Sequence, residues 1–193
     1  MIELELKAVV TDPAGLQEKL RLAGAAVEFI GRMVDRRLDF VGDSLTVCDE
    51  VLRLRKYVDA AGHAKASIDW KGPASIEAGY KRREELATSI GDADTTMTIL
   101  RRLGLRVTRS IERDIRQYTL EGATVRMEHY SQMDDLVEVE GEAAAIERAI
   151  AIMGIPRSEF SADNLALFAD RYSARTGRQA ITGFEGDAAE PLW

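Results

Sequence analysis

Apolar and charged residues alternate from the first strand-length stretch onward. In Ile2-Glu3-Leu4-Glu5-Leu6-Lys7 the apolar side chains share one face of an extended segment, and Glu3, Glu5 and Lys7 share the other. The same alternation returns with both signs of charge. Leu52-Arg53-Leu54-Arg55 sets two guanidinium groups on one strand face, and Val137-Glu138-Val139-Glu140 sets two carboxylates on one face. Like charges crowded on one face repel unless an opposite charge lies between them. A sheet that gathers paired arginines and paired glutamates suits a ligand carrying both signs, and a metal-bound polyphosphate meets that description.

Between these stretches the pattern predicts strands over residues 2–10, 27–39, 51–59, 64–71, 80–90, 106–120, 123–130 and 134–141. Asp12-Pro13 opens a helix carrying Leu16, Leu20 and Leu22 toward a core. Asp92 caps a second helix, with Met97, Leu100 and Leu103 at helical spacing. Residues 142–153 form a third helix, and Ser161 caps a fourth that runs to about Arg175. The pattern reads as α+β: about eight strands, mostly linked as hairpins, with helices in the longer connections; closing such a sheet into an antiparallel barrel would turn its charged faces into a lumen. Residues 1–175 read as one domain and 176–193 as a Gly-rich, acidic tail.

Composition changes this picture little. The chain is 46% hydrophobic and 31% charged, ordinary for a globular domain. A net charge of −7 argues against a general nucleic-acid binder but leaves room for a local basic pocket. No apolar run approaches a membrane span, the N-terminus enters a charged strand rather than a signal-peptide core, and a lone Cys48 fits a reducing compartment, so a cytoplasmic protein is expected. His63 and His129 are too few and too far apart for a histidine zinc site, so any metal would be a hard cation on carboxylates.

Taken one at a time, the charged motifs are ambiguous. A solvated strand face explains Glu3-x-Glu5-x-Lys7 about as well as a binding face does. Arg53 and Arg55 could be edge protection, although paired arginines also fit phosphate oxygens bidentately. Lys71 ends a strand in Trp70-Lys71-Gly72-Pro73, and alternation groups Lys81, Arg83 and Glu85. Arg113 and Arg116 fall on opposite faces, so only one can reach a lumen. Glu128 stands in a short strand, with His129 pointing away from its face.

Taken in order, these motifs resemble the signature of the CYTH proteins, or triphosphate tunnel metalloenzymes, which include class IV adenylate cyclases, thiamine triphosphatases and inorganic triphosphatases. The resemblance rests on Glu3-Leu4-Glu5-Leu6-Lys7, Val51-Leu52-Arg53-Leu54-Arg55-Lys56, Trp70-Lys71-Gly72-Pro73 and Leu136-Val137-Glu138-Val139-Glu140. It implies an eight-stranded tunnel binding a small-molecule triphosphate together with Mg²⁺ or Mn²⁺. Carried over by position, Glu3, Glu5, Glu138 and Glu140 are metal ligands. Lys7, Arg53, Arg55, Lys71, Arg83 and Arg113 hold phosphates, and Glu85 and Glu128 are the catalytic carboxylates. The chain departs from the pattern in four places. Arg37 replaces a tyrosine, Ile115 stands where many relatives have an arginine, Glu128 replaces an aspartate, and Ser131-Gln132-Met133-Asp134-Asp135 replaces a glycine-rich turn. The resemblance favours a metal-dependent triphosphatase. A cyclase making cyclic AMP and pyrophosphate is the first alternative, and a non-catalytic polyphosphate or nucleotide binder the second. It points to no nucleic-acid or membrane partner and leaves a homodimer open.

Overall fold

The N-terminal alternation becomes strand β1 (Ile2–Val9) in the computed structural model, which describes residues 2–183. Helix α1 (Pro13–Leu22) starts as the sequence suggests: the Asp12 carboxylate accepts a bond from the Gly15 N–H at 2.9 Å, and Pro13 occupies the first turn. Next come β2 (Ala26–Phe40), a one-turn α2 (Ser44–Val47), the hairpin β3 (Val51–Asp59) and β4 (Ala64–Lys71), β5 (Ser75–Glu77) and β6 (Tyr80–Ile90). Helix α3 (Ala93–Arg102), capped by Asp92, leads into β7 (Leu105–Leu120), β8 (Ala123–His129) and β9 (Leu136–Gly141). Helices α4 (Ala143–Met153) and α5 (Leu165–Thr176) follow.

All strand pairs are antiparallel, in the order β1-β9-β8-β7-β2-β3-β4-β6, and β1 pairs with β6 to close the ring. Eight strands therefore form a barrel, and β5 hangs on the rim of β6. Helices cover much of the barrel's outer face. Leu6, Val125, Val137 and Val139 pack against Leu16 and Leu20 of α1 and Ile146, Ile150 and Met153 of α4. Leu38, Leu54, Leu105 and Val107 pack against Met97 of α3. Each such side chain, fully buried, contributes about 1.5–3 kcal/mol. With the apolar faces committed outward, the charged faces turn inward. A register shift between β2 and β7 at Arg37/Leu38 helps: it leaves Val107 in the outer cluster and Arg113 in the lumen, although strict alternation would put both on one face.

Four expectations need correction. Leu22 and Leu103 are exposed at 70% and 66%: Leu22 lies about 200° round α1 from the buried Leu20, and Leu103 is the C-cap residue just past α3. Strand β5 and helix α2 are too short to leave a periodic signal. Asn164, not Ser161, caps α5, because the Ser161 backbone is extended and exchanges two hydrogen bonds with Lys7 at 2.8 and 2.9 Å. The first residues of the expected tail are not loose. Thr182 is buried, its carbonyl accepts from the Glu112 N–H, and the Ile181 N–H donates to Gln132. The remainder of that tail lies outside the described residues. Among the described residues, no helix is long and apolar enough to cross a membrane.

Candidate active site in the barrel lumen

Pairing of β1 with β9 sets Glu5 directly opposite Glu140 and Lys7 opposite Glu138; pairing of β1 with β6 sets Glu3 opposite Arg83 and Glu5 opposite Lys81. One wall of the lumen is therefore acidic. One carboxylate oxygen from each of Glu3, Glu5 and Glu140 lies within 4.8 Å of the others. Glu138 stands outside this group, ion-paired to Lys7 and to Arg126. Three of the four expected metal ligands are thus gathered; Glu5 also pairs with Lys7 at 3.0 Å and Lys81 at 2.5 Å, and Glu140 with Arg126 at 3.1 Å.

The facing wall, on β2, β3, β4 and β7, is basic. Asp35 is its hub. Its carboxylate accepts from Arg55 Nε at 2.5 Å and Arg113 Nη2 at 3.0 Å, and Arg53 lies 3.9 Å away. Arg53 Nε also bonds Asp69 at 2.9 Å. Lys71 pairs with Glu85 and lies 3.9 Å from Glu3. Arg83 donates to the Asp49 carbonyl at 2.9 Å and to its carboxylate at 2.5 Å. Glu128 accepts from Arg113 Nε and from the Tyr130 hydroxyl, both at 2.8 Å. Arg113 is buried in the lumen while Arg116 is exposed, as alternation required. His129 is exposed and pairs with Asp135 at 2.6 Å, away from the lumen.

Burial and neighbouring charge set the protonation of this shell. Burial alone would raise the Asp35 pKa, but Arg55, Arg113 and Arg53 hold it well below the usual carboxylate range. Burial also opposes ionisation of Glu5, yet Lys7 and Lys81 bring it down to about 2. Glu85 moves the other way, up to about 7, through burial and a hydrogen bond shared with Glu3. Glu140 is raised by burial and by Glu138, against the pull of Arg126. Glu138 is correspondingly lowered: Lys7 and Arg126 overcome its burial. The acidic wall therefore shares protons between Glu3 and Glu85 and between Glu138 and Glu140.

Three buried donors in the lumen, Arg37 Nε, Arg83 Nε and Arg113 Nη1, have no hydrogen-bond partner among the described residues. Burying donors without acceptors is costly, and all three belong to residues that line one cavity. Four charged residues that line the cavity lay outside the expected site residues: Asp35, Lys81, Arg126 and Arg37. Arg126 was readable in principle, because alternation in β8 puts it on the face of Glu128. It supplies a lumen guanidinium one strand away from Ile115, where the resemblance expects one.

A closed barrel with an acidic wall facing a basic wall defines a class, a charged β-tunnel. The family follows from the sequence: residues 1–152 match the CYTH domain, and the chain belongs to that family. No curated protein matches the sequence significantly. Among solved structures, a candidate adenylate cyclase from Vibrio parahaemolyticus superposes with a TM-score of 0.74 at 18% identity, covering 88% of this chain and 98% of that one. A protein of Pyrococcus horikoshii gives 0.69 at 23% identity, covering 91% and 99%. A candidate adenylyl cyclase from Hippeastrum with a dominant triphosphatase activity gives 0.59 at 17%, covering 94% and 98%. At these identities the likeness establishes the shared fold.

Proposed function

We propose that this protein is a divalent-metal-dependent phosphohydrolase that binds a small-molecule triphosphate in the barrel lumen and cleaves its terminal phosphoryl group. The observation that carries the reading is the Glu3, Glu5 and Glu140 oxygens converging within 4.8 Å of one another across from a wall of buried arginines. Mere anion binding needs no such carboxylate cluster. Three hard oxygen donors at this spacing fit Mg²⁺ or Mn²⁺. When bound there, such an ion supplies Lewis acidity to phosphate oxygens and acidity to a coordinated water.

The chain's own residues do the rest. Arg53, Arg55, Lys71, Arg83, Arg113 and Lys7 hold the phosphate chain and stabilise charge building on the transferred group. To reach it, they exchange contacts with Asp35, Asp69, Glu85 and Glu138 for phosphate oxygens. Of the two candidate catalytic carboxylates, Glu85 suits a general base: its pKa of about 7 lets it hold and release a proton at neutral pH. Glu128, clamped by Arg113 and Tyr130, acts as a positioning residue that orients Arg113.

The test is product analysis. The pure protein is incubated with tripolyphosphate, thiamine triphosphate and ATP in Mg²⁺ or Mn²⁺. Metal-dependent release of phosphate from any of them supports the proposal, and tight binding without turnover overturns it. Cyclic AMP and pyrophosphate from ATP would instead support a cyclase, a reading favoured by the name of the Vibrio relative.

A second measurement concerns the basic wall. Arg53→Ala and Arg55→Ala are each expected to weaken triphosphate binding about tenfold or more, since a charge-assisted hydrogen bond is worth roughly 1.5–3 kcal/mol. The Lys variants should lose less than the Ala variants but not match Arg, because the planar fork is missing. Unchanged affinity in both alanine variants, by isothermal titration, would remove the basic wall from the substrate site.

A further inference from the structure

Most lumen bases are neutralised by a named acid. Lys7 and Arg126 have Glu138, Lys81 has Glu5, Lys71 has Glu85, Arg83 has Asp49, Arg53 has Asp69, and Arg55 and Arg113 have Asp35. Arg37 is the exception. It lines the same cavity, and among the described residues no carboxylate lies within ion-pair distance of it. Its Nε is buried without a partner. The strand register aggravates this. Arg37 sits directly opposite Arg53 on β3 and directly opposite Arg109 on β7, so three guanidinium-bearing residues stand abreast on adjacent strands. Arg53 is anchored by Asp69, and Arg109 donates to the Thr182 hydroxyl at 3.0 Å.

Like charges directly opposite on neighbouring strands are destabilising, and an unpaired buried cation is more so. Burial and the neighbouring Arg53 and Arg109 push the Arg37 pKa down to about 10, which still leaves it charged at neutral pH. The cluster therefore lacks an anion. Along β2, Arg37 lies at the next inward position after Asp35, which holds Arg55 and Arg113. A phosphate chain lying on Arg53, Arg55 and Arg113 that is longer by one unit would reach Arg37.

We infer that Arg37, with Arg53 beside it, forms a subsite for a fourth phosphate, so that the tunnel prefers linear polyphosphates of four or more units over a triphosphate. This rests on the reading of the lumen as a phosphate-chain site. The subsite works by recognition alone: a planar guanidinium with an unpartnered Nε–H donates to phosphate oxygens, and the added anion relieves the repulsion among the three arginines. A neutral organic group at that position would leave the repulsion in place.

Isothermal titration in EDTA, where metal-dependent turnover is arrested, compares inorganic tripolyphosphate with tetrapolyphosphate. Tetrapolyphosphate is expected to bind about tenfold more tightly, the effect of one added charge-assisted contact. Arg37→Gln should bring the ratio close to one, Arg37→Lys should keep part of it, and the exposed-surface control Arg148→Gln should keep all of it. Equal affinities for the two chains in the parent protein would overturn the subsite while leaving the tunnel reading intact. So would an undiminished preference in Arg37→Gln. Failure of either chain to bind, with Mg²⁺ added back as well, would overturn the tunnel reading and the subsite together.

Discussion

Glu140→Gln is expected to lower triphosphate turnover by about two orders of magnitude or more, the scale of losing one preorganised electrostatic contact in an active site. Glu5→Gln should do the same. Each removes a hard anionic donor from the Glu3, Glu5 and Glu140 cluster, and the amide that replaces it binds a divalent ion poorly. The two variants should separate in stability. The Glu5 carboxylate is held down to about pKa 2 by Lys7 and Lys81, which outweigh its burial. A depressed carboxylate contributes stability above its unfolded pKa, lost only as pH falls through the folded value, so Glu5→Gln should lower the metal-free melting temperature at neutral pH. Glu140 is raised instead, so its ionised form costs stability as pH climbs above the ordinary carboxylate range. Glutamine mimics the protonated acid, and Glu140→Gln should leave metal-free stability unchanged or improved. Phosphate release and thermal melts in EDTA check both halves. Full activity in both variants at saturating metal would remove these glutamates from the metal site.

The second large effect lies in the basic wall. Asp35→Asn should cost about 3–5 kcal/mol, because it leaves Arg55 and Arg113 buried with their principal counter-charge gone. Asp35 has a folded pKa well below the usual range, so its contribution is complete above about pH 4 and is lost as pH falls below that. The gap between parent and variant, read from urea midpoints, should therefore be widest near neutrality and narrow on acidification. A gap under about 1 kcal/mol at pH 7 would mean that Arg55 and Arg113 find other partners.

The strands were readable because this barrel segregates its residues sharply. Leu4 and Leu6 leave the lumen to Glu3, Glu5 and Lys7, and the same division repeats in β3 and β9. Closure was legible only through the family resemblance, because alternation gives each strand a charged face without saying that β1 pairs with β6. β2 was the obscure strand. Around Asp35 both faces are buried, Arg36 being only 4% exposed, so alternation fades and the hub of the basic wall gave no signal. The division of labour among the late glutamates was also hidden. Glu138 and Glu140 are equivalent by alternation, and only the register against β1 sets one opposite Lys7 and the other opposite Glu5. Arg37 was visible as a departure from the family pattern, but that it stands abreast of Arg53 and Arg109 depends on pairings formed by the fold.

In the proposed function a divalent ion on the acidic wall and a phosphate chain on the basic wall meet inside one lumen. A crystal structure of the Glu85→Gln variant with Mn²⁺ and tripolyphosphate, with anomalous data collected for manganese, tests it most directly. An anomalous peak is expected among Glu3, Glu5 and Glu140, with phosphate oxygens on Arg53, Arg55 and Arg113. Manganese and tripolyphosphate bound only outside the barrel, with the lumen ion pairs of Asp35 and Glu138 intact, would contradict it.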